Sequence, residues 1–225
     1  MPPQTSVRVC AGRSENSKLN ILFPRVVEYL VEWPDTPMES IKAILDPDIP
    51  VGSSREIDFT TSSAIRWKTN PRRCPVNWVI CAGDWEAEFC RVAEIHPRVL
   101  SYVKNQHLGF EVPYFMGSTQ KKYLPDFIVL VNDGLGDALH LVVDILGFGG
   151  EDIEEKARAM RHYWVPGVNR LEQLGRWAFA EFTTLYKMEA EFDKLMASLT
   201  WDAYGFVERF AGALPNVRYG KTQCG

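Results

Sequence analysis

Two aspartates each stand in an otherwise apolar segment of this chain. Asp126 lies in residues 123–129 (YLPDFIV), and Asp144 lies in residues 141–147 (LVVDILG). Each segment is predicted to be a buried strand, where a carboxylate is costly unless a cation, a metal or hydrogen bonds compensate it. Two such acids on neighbouring strands therefore indicate a site for a divalent ion.

Antiparallel pairing of these two strands through the intervening turn would bring Asp126 and Asp144 to one edge of the sheet. Oxygen ligands suit Mg²⁺, which usually takes one or two carboxylates and completes its shell with waters and substrate phosphate. Such an ion supplies an activated water and neutralises charge on a phosphodiester in the transition state. The alternative is structural: Asp126 caps a turn after Pro125, and Asp144 ends a strand.

A third carboxylate for this site is expected from the helix before the sheet. Glu86 and Glu88 both lie in that helix. Glu86 is the better candidate, because it falls in the first helical turn just after a strand and can turn towards the acidic edge. The alternative is again structural, since acids favour the first turn of a helix through its backbone dipole.

An ammonium close to such an ion can orient the attacking water and stabilise developing negative charge. Lys156 in the following helix lies about 60° around the helix from Ile153, and therefore flanks the apolar stripe. From there a long side chain can reach the sheet edge, although a lysine that extends from an apolar face into solvent is the common alternative.

The elements that position these residues follow a regular order from residue 76 onwards. Hydrophobic periodicity, capping residues and turn residues define them. The order predicts an α/β domain with a mixed sheet. The predicted elements are a strand at 76–82, helices at 85–94 and 98–104, strands at 110–115, 124–131 and 139–146, a helix from about 151 to 164 that ends at Pro166-Gly167, a strand at 177–182 and a helix at 185–199.

The first 70 residues carry weaker patterns. Apolar residues at helical spacing between Leu22 and Trp33 predict an amphipathic helix that stops at Pro34, and a proline-rich loop and a short strand at 57–61 follow. The predicted organisation has three parts. These are a linker-like helical and loop extension (1–70), an α/β domain that includes the C-terminal helix (71–200) and a tail (201–225).

A basic cluster follows the short strand, with Trp67 among its members. It either forms a solvated loop, which is the commoner arrangement, or meets a phosphate backbone. The net charge of −4 neither indicates nor excludes a nucleic-acid binder, because a local basic groove suffices. The cluster consists of Arg66, Lys68, Arg72 and Arg73.

Length and composition limit the class of protein. The 225 residues fit one domain with appendages or two small domains. No apolar run approaches the roughly 18 residues that span a bilayer, and the N-terminus lacks the apolar stretch of a secretory signal. Five cysteines without a C-x-x-C pair indicate reduced thiols in a cytoplasm.

These residues, taken in order, resemble the C-terminal nuclease region of type III restriction enzyme large (Res/R) subunits, a PD-(D/E)xK family. The matching motifs extend over roughly residues 75–198, more than half of the chain. Residues 1–70 would correspond to the end of the region that joins motor and nuclease. The motifs are Trp85-Glu86, residues 102–105, 109–114, 123–129 and 143–147, Lys156, and residues 163–169 and 175–179.

The resemblance implies a restriction-endonuclease-like fold, with a mixed central sheet flanked by helices. It also implies a hydrolase that cuts double-stranded DNA with Mg²⁺ or Mn²⁺ in restriction-modification and phage defence. By this resemblance Asp126 is the proline-linked aspartate, Asp144 stands where the family usually has Glu, and Glu86 matches the helix acid. Lys156 matches a lysine of the helix after the core strand, whereas Leu146 replaces the motif lysine of many relatives.

The expected partners follow from the same resemblance. They are double-stranded DNA, a helicase or ATPase module and a modification methyltransferase subunit, with no membrane. The chain is shorter than a complete type III large subunit, so we expect a nuclease domain without its motor, either a fragment or a stand-alone protein. Two other hypotheses stay open: a nuclease fold that has lost catalysis and serves as an interaction or DNA-binding module, and an unrelated α/β enzyme with a different metal reaction.

Overall fold

The computed structural model of this chain describes residues 6–12, 19–31, 41–145 and 152–199, and within them it is a mixed α/β protein. The described strands are β1 (Val7–Cys10), β2 (Leu22–Pro24), β3 (Val26–Leu30), β4 (Lys42–Leu45), β5 (Val51–Ser53), β6 (Asp58–Thr61), β7 (Arg66–Lys68), β8 (Trp78–Ile80), β9 (Val99–Lys104), β10 (Val112–Met116), β11 (Thr119–Tyr123), β12 (Phe127–Val131), β13 (Leu139–Ile145) and β14 (Arg176–Phe182). The described helices are α1 (Asp84–Ile95), α2 (Ile153–Arg158), a π-helical segment (Ala159–Trp164), α3 (Val165–Asn169) and α4 (Met188–Ser198), with 3₁₀ turns at Ser54–Glu56 and Leu185–Lys187.

A four-stranded sheet in the order β14-β13-β12-β9 forms the centre, and the other described strands pair in two-stranded sheets. β12 is antiparallel to both β9 and β13, whereas β13 and β14 are parallel. A parallel pair needs a long crossover, which α2, the π-helical segment and α3 provide. β12 is buried along its whole length, which explains why its sequence is apolar without alternation.

Helices cover both faces of this sheet. On one face, Phe89 of α1 packs against Phe127 of β12 and Phe182 of β14, with ring centroids 4.7 and 6.0 Å apart. On the other face, Trp164 of the π-helical segment meets Trp177 of β14 edge-on at 5.1 Å. Both tryptophans are fully buried and belong to the hydrophobic core.

Most elements predicted beyond residue 76 are confirmed to within a few residues, but the helix predicted at 98–104 is wrong. This segment is strand β9, whose pairing with β12 places Tyr102 and Val103 in the core. Tertiary pairing overrides a weak local preference there. The sequence pattern also missed β11, because its exposed Thr119–Lys122 residues carry no apolar signal and only its pairing with β10 makes it a strand.

The helix predicted between Leu22 and Trp33 is also wrong. The described residues there form β2 and β3, which pair with β5 and β4. Phe23 and Val26 are buried, and they join the same hydrophobic core as the central sheet. The described part of residues 1–70 is therefore β-structure packed on the domain rather than a helical linker, while Trp33 lies outside the described residues.

The predicted helix end at Pro166-Gly167 is wrong as well, because the helix continues to Asn169. Val165 N–H bonds to Met160 O, and this wider π-helical turn accommodates Pro166, which has no N–H to donate. Gly167 serves close packing instead of termination, since a Cβ there would lie 2.9 Å from the backbone nitrogen of Ala43.

Three remaining expectations concern regions or properties outside the sheet. Within the described residues no helix is long and apolar enough to cross a membrane. The cysteines described, Cys10, Cys74, Cys81 and Cys90, have free thiols. Leu146 and the predicted tail at 201–225 lie outside the described residues.

Candidate functional site

Asp126 and Asp144 lie side by side at the same end of β12 and β13. The Asp126 backbone N–H donates to Asp144 Oδ1 at 3.2 Å, and the Ile145 backbone N–H donates to Asp126 Oδ2 at 2.7 Å. This reciprocal pair follows from the antiparallel register, which places Phe127 opposite Val143. One oxygen of each carboxylate thus continues the hydrogen bonding between the two strands beyond their last backbone pair.

Burial makes both carboxylates unusually weak acids. The Asp144 residue is 8% exposed. Burial, together with the negative charge of Asp126, raises the pKa of Asp144 to about 7. Burial likewise raises the pKa of Asp126 to about 6, and the nearby charge of Glu86 adds to this effect. Two adjacent carboxyls that resist ionisation are a place where a cation is strongly favoured.

Glu86 lies in the first turn of α1, and its carboxylate is held by Ala82 and Lys104. Its Oε2 accepts the Ala82 N–H at 2.6 Å and forms an ion pair with the Lys104 ammonium. Lys104 Nζ also donates to the Ile80 carbonyl at 2.8 Å, and both side chains of the ion pair are largely buried. The positive charge of Lys104 offsets part of the rise in the pKa of Asp126.

Lys156 approaches from the other face of the sheet. Its ammonium pairs with Asp152 at 2.9 Å, one helical turn earlier, and lies 5.9 Å from the ring centroids of Tyr114 and Tyr123. The charge of Lys156 offsets part of the rise in the pKa of Asp144. Of the four predicted site residues, Asp126 and Asp144 are joined by hydrogen bonds. Within the described part of the chain, Glu86 and Lys156 form no hydrogen bond or ion pair with either aspartate, and each influences the pKa of one aspartate through its charge.

The two ammonium groups approach the aspartates from opposite faces of the sheet. Lys104 is opposite Phe127 in the β9–β12 register, and Phe127 packs on α1. Asp144 is opposite Glu181 in the β13–β14 register, and Glu181 forms an ion pair with Arg161 of the π-helical segment. Because neighbours in register share a face, Asp144 and Glu181 face the crossover helices.

The sequence pattern did not identify Lys104 or Glu181 as site residues. Lys104 is the one charged residue of β9, and Glu181 is the one acid of β14. A lone charged residue in a largely apolar segment is also the feature that identified Asp126 and Asp144. Lys104 was overlooked because its segment was predicted to be a helix. Glu181 was overlooked because a strand at 177–182 was not expected beside Asp144.

Tyr123 completes the surroundings of Asp144. Its hydroxyl is buried and has no hydrogen-bond partner within the described part of the chain. Burial raises the pKa of Tyr123 well above its usual value, and the negative charge of Asp144 contributes. The phenol therefore stays neutral and keeps a donor available next to the two aspartates.

The donor set suits a hard divalent cation. Among the described residues, no donor bonds to Asp126 Oδ1, Asp144 Oδ2 or Glu86 Oε1, so each acid keeps one oxygen for another ligand. No group of three or more His, Cys, Asp or Glu side chains in the described ranges is arranged around a common metal position. Mg²⁺ does not require one, since one or two carboxylates with waters commonly hold it.

Comparison of the chain with protein-family profiles, with curated proteins and with solved structures found no significant match in any of the three.

Proposed function

We propose that this chain is a Mg²⁺- or Mn²⁺-dependent endonuclease domain that hydrolyses phosphodiesters of double-stranded DNA. The observation that carries the proposal is the adjacent pair of Asp126, which is half-buried, and Asp144, which is buried. One oxygen of each carboxylate accepts a backbone hydrogen bond, and the negative charge of Asp126 raises the pKa of Asp144. Buried carboxyls that repel one another are stabilised as anions by a bound cation.

The order of elements around the pair supports a restriction-endonuclease-like arrangement. The segments run α1, β9, β12, β13, then the crossover helices, then β14, with the β10–β11 hairpin inserted after β9. The resulting sheet is mixed and has helices on both faces. This is the arrangement that the resemblance to type III restriction large subunits implies, and the acids stand at one end of its two central strands.

Each side chain has a distinct part in this proposal. Asp126 Oδ1 and Asp144 Oδ2 are the oxygens that would hold the ion. Glu86 would face the ion from beside Asp126. When bound, the ion supplies an activated water and charge neutralisation at the phosphate. Lys156 orients the attacking water and stabilises developing charge from the Asp144 side. Lys104 holds the Glu86 carboxylate in place by a largely buried ion pair.

A catalytically inactive nuclease fold that serves as an interaction or DNA-binding module is the second candidate. Leu146, in the place of the motif lysine, favours it. The reciprocal hydrogen bonds favour it as well, because they give both aspartates a structural use. The two candidates differ in one respect that can be measured, which is cleavage of DNA.

Conversion of supercoiled plasmid to nicked or linear DNA, with Mg²⁺ or Mn²⁺ and with EDTA, tests the proposal. We expect metal-dependent cleavage by the wild type and none by Asp126→Asn. Asp137→Asn is the matched control, because Asp137 is exposed in the turn at the opposite end of the same two strands. Cleavage that persists in Asp126→Asn rejects this site, and a folded wild type that never cleaves favours the inactive module.

A further inference from the structure

The hairpin of β7 and β8 presents a cationic face. Lys68 lies opposite Trp78 in the register and Arg66 lies opposite Ile80, so these four side chains share one face. Lys68 Nζ is 4.5 Å from the centroid of the Trp78 ring, and the Arg66 guanidinium carbon is 5.5 Å from it. One indole therefore holds two cations.

The indole positions these cations without neutralising them. A cation over an aromatic face keeps its full charge, whereas an ion pair cancels it. Within the described ranges no carboxylate forms an ion pair with Arg66 or Lys68. Trp67, between them, points to the opposite face and donates to Glu94 of α1 at 3.1 Å. The strand is thus anchored on one side and charged on the other.

The hairpin that carries the cationic face also contacts the Glu86–Lys104 ion pair of the candidate site. Ile80, opposite Arg66, offers its carbonyl to Lys104, the partner of Glu86. Two residues later, the Ala82 N–H donates to Glu86 itself. The strand that carries Trp78 therefore links the cationic face, along the chain, to the Glu86–Lys104 ion pair.

We propose that Arg66 and Lys68, held on Trp78, bind the phosphate backbone of the DNA that enters the Asp126–Asp144 site. This inference rests on the proposed function for the identity of the polyanion. The two cations stand two residues apart on a strand, about 6.6 Å, and belong to a protein whose net charge is −4. A local basic face of this kind permits an acidic protein to bind a nucleic acid.

The test is the salt dependence of binding to a fluorescein-labelled DNA duplex in EDTA, measured by anisotropy. For B-DNA the slope of log K against log salt concentration is about −0.9 for each phosphate neutralised. The double variant Arg66→Gln with Lys68→Gln should therefore bind more weakly and lose about 2 from the magnitude of that slope. Exchanging the two residues, Arg66→Lys with Lys68→Arg, keeps both charges and should preserve the slope.

The matched control removes equal charge elsewhere. Lys187→Gln with Lys194→Gln alters two exposed lysines at and beside α4 and should leave the slope unchanged. An unchanged slope in the Arg66/Lys68 double variant, with a wild type that binds and cleaves DNA, overturns the proposed face and leaves the nuclease function standing. A wild type that binds DNA through this face but never cleaves it rejects the nuclease function alone. A wild type that does not bind DNA overturns both.

Discussion

Asp144 Oδ1 accepts the backbone N–H of Asp126 at 3.2 Å, so the second aspartate is held by the main chain of the first. The bond that Ile145 N–H makes to Asp126 Oδ2 completes the pair in the reverse direction. Rotation of either carboxylate breaks a hydrogen bond, which keeps the remaining oxygens in fixed positions. Preorganisation of this kind is what a cation site requires, and it is also costly while no cation is bound.

The first prediction concerns the pH dependence of the free energy of unfolding in the absence of metal. Both aspartates have pKa values above that of an unfolded chain, about 6 for Asp126 and about 7 for Asp144, compared with 3.8. Between about pH 4 and pH 7 the native state therefore holds more protons than the unfolded state, and these groups make the free energy of unfolding fall as pH rises. Urea unfolding across this range measures the fall.

Asp144→Asn is the control for that prediction. Asparagine cannot ionise, so the variant should show a flatter dependence than the wild type over the same pH range. The comparison also removes the opposite contribution of Asp133, whose pKa is lowered chiefly by its hydrogen bond with Arg176. Equal slopes in wild type and variant contradict the assignment of a weakly acidic Asp144.

The second prediction concerns the buried ion pair of Glu86 and Lys104. Lys104→Met leaves the Glu86 carboxylate buried without its cation, which typically costs about 3–5 kcal/mol of unfolding free energy. The double variant Glu86→Gln with Lys104→Met should recover a large part of this loss, because no isolated charge remains. Denaturant unfolding of both single variants and the double variant measures the coupling, and simple additivity contradicts it.

The third prediction separates Lys156 from Lys104. Lys156→Ala should reduce DNA cleavage sharply while leaving Mn²⁺ affinity nearly intact, because the ammonium acts on water and phosphate. It should also change stability little, since the ion pair with Asp152 is a partly exposed helical pair worth about 0.5 kcal/mol or less. Leu146→Lys should partly restore cleavage in this variant. Full activity of Lys156→Ala assigns the catalytic ammonium elsewhere.

The fourth prediction concerns the core that holds the crossover against the sheet. Trp164 is fully buried and meets Trp177 and Phe110 edge-on at 5.1 and 5.3 Å. Trp164→Ala should therefore cost about 3–5 kcal/mol of unfolding free energy. Lost DNA binding with unchanged stability in Trp164→Ala contradicts the core assignment.

His140 lies on the same strand as Asp144, and its ring stacks 4.3 Å from Trp177. His140→Ala should affect cleavage far less than Asp126→Asn.

The sequence was sufficient to predict most elements beyond residue 76 and the adjacency of the two aspartates, but not the residues around them. The apolar runs around Asp126 and Asp144 predicted buried strands because periodicity is a local property. The pairing of β9 with β12 and of β13 with β14 joins distant parts of the chain. Lys104 and Glu181 enter the site only through those pairings, and no local pattern specifies which strands become neighbours.

The N-terminal strands illustrate the same limit. Spacing between Leu22 and Leu30 satisfies a helical period, yet Phe23 and Val26 are buried in strands that pair with β5 and β4. Short apolar runs are ambiguous between helix and strand, and long-range packing decides between them. The cationic face of Arg66 and Lys68 was likewise visible as composition, but only the β7–β8 register places both cations on Trp78.

The most direct test of the central claim is Mn²⁺ binding at about pH 8, above the pKa values of both aspartates, measured by calorimetry and by the electron paramagnetic resonance of free Mn²⁺. We predict one Mn²⁺ site in the wild type, competed by Mg²⁺, that is retained in Asp137→Asn and lost in Asp126→Asn and in Asp144→Asn while both variants stay folded. Equal Mn²⁺ affinity in the wild type and the two site variants would contradict the claim that Asp126 and Asp144 hold the ion.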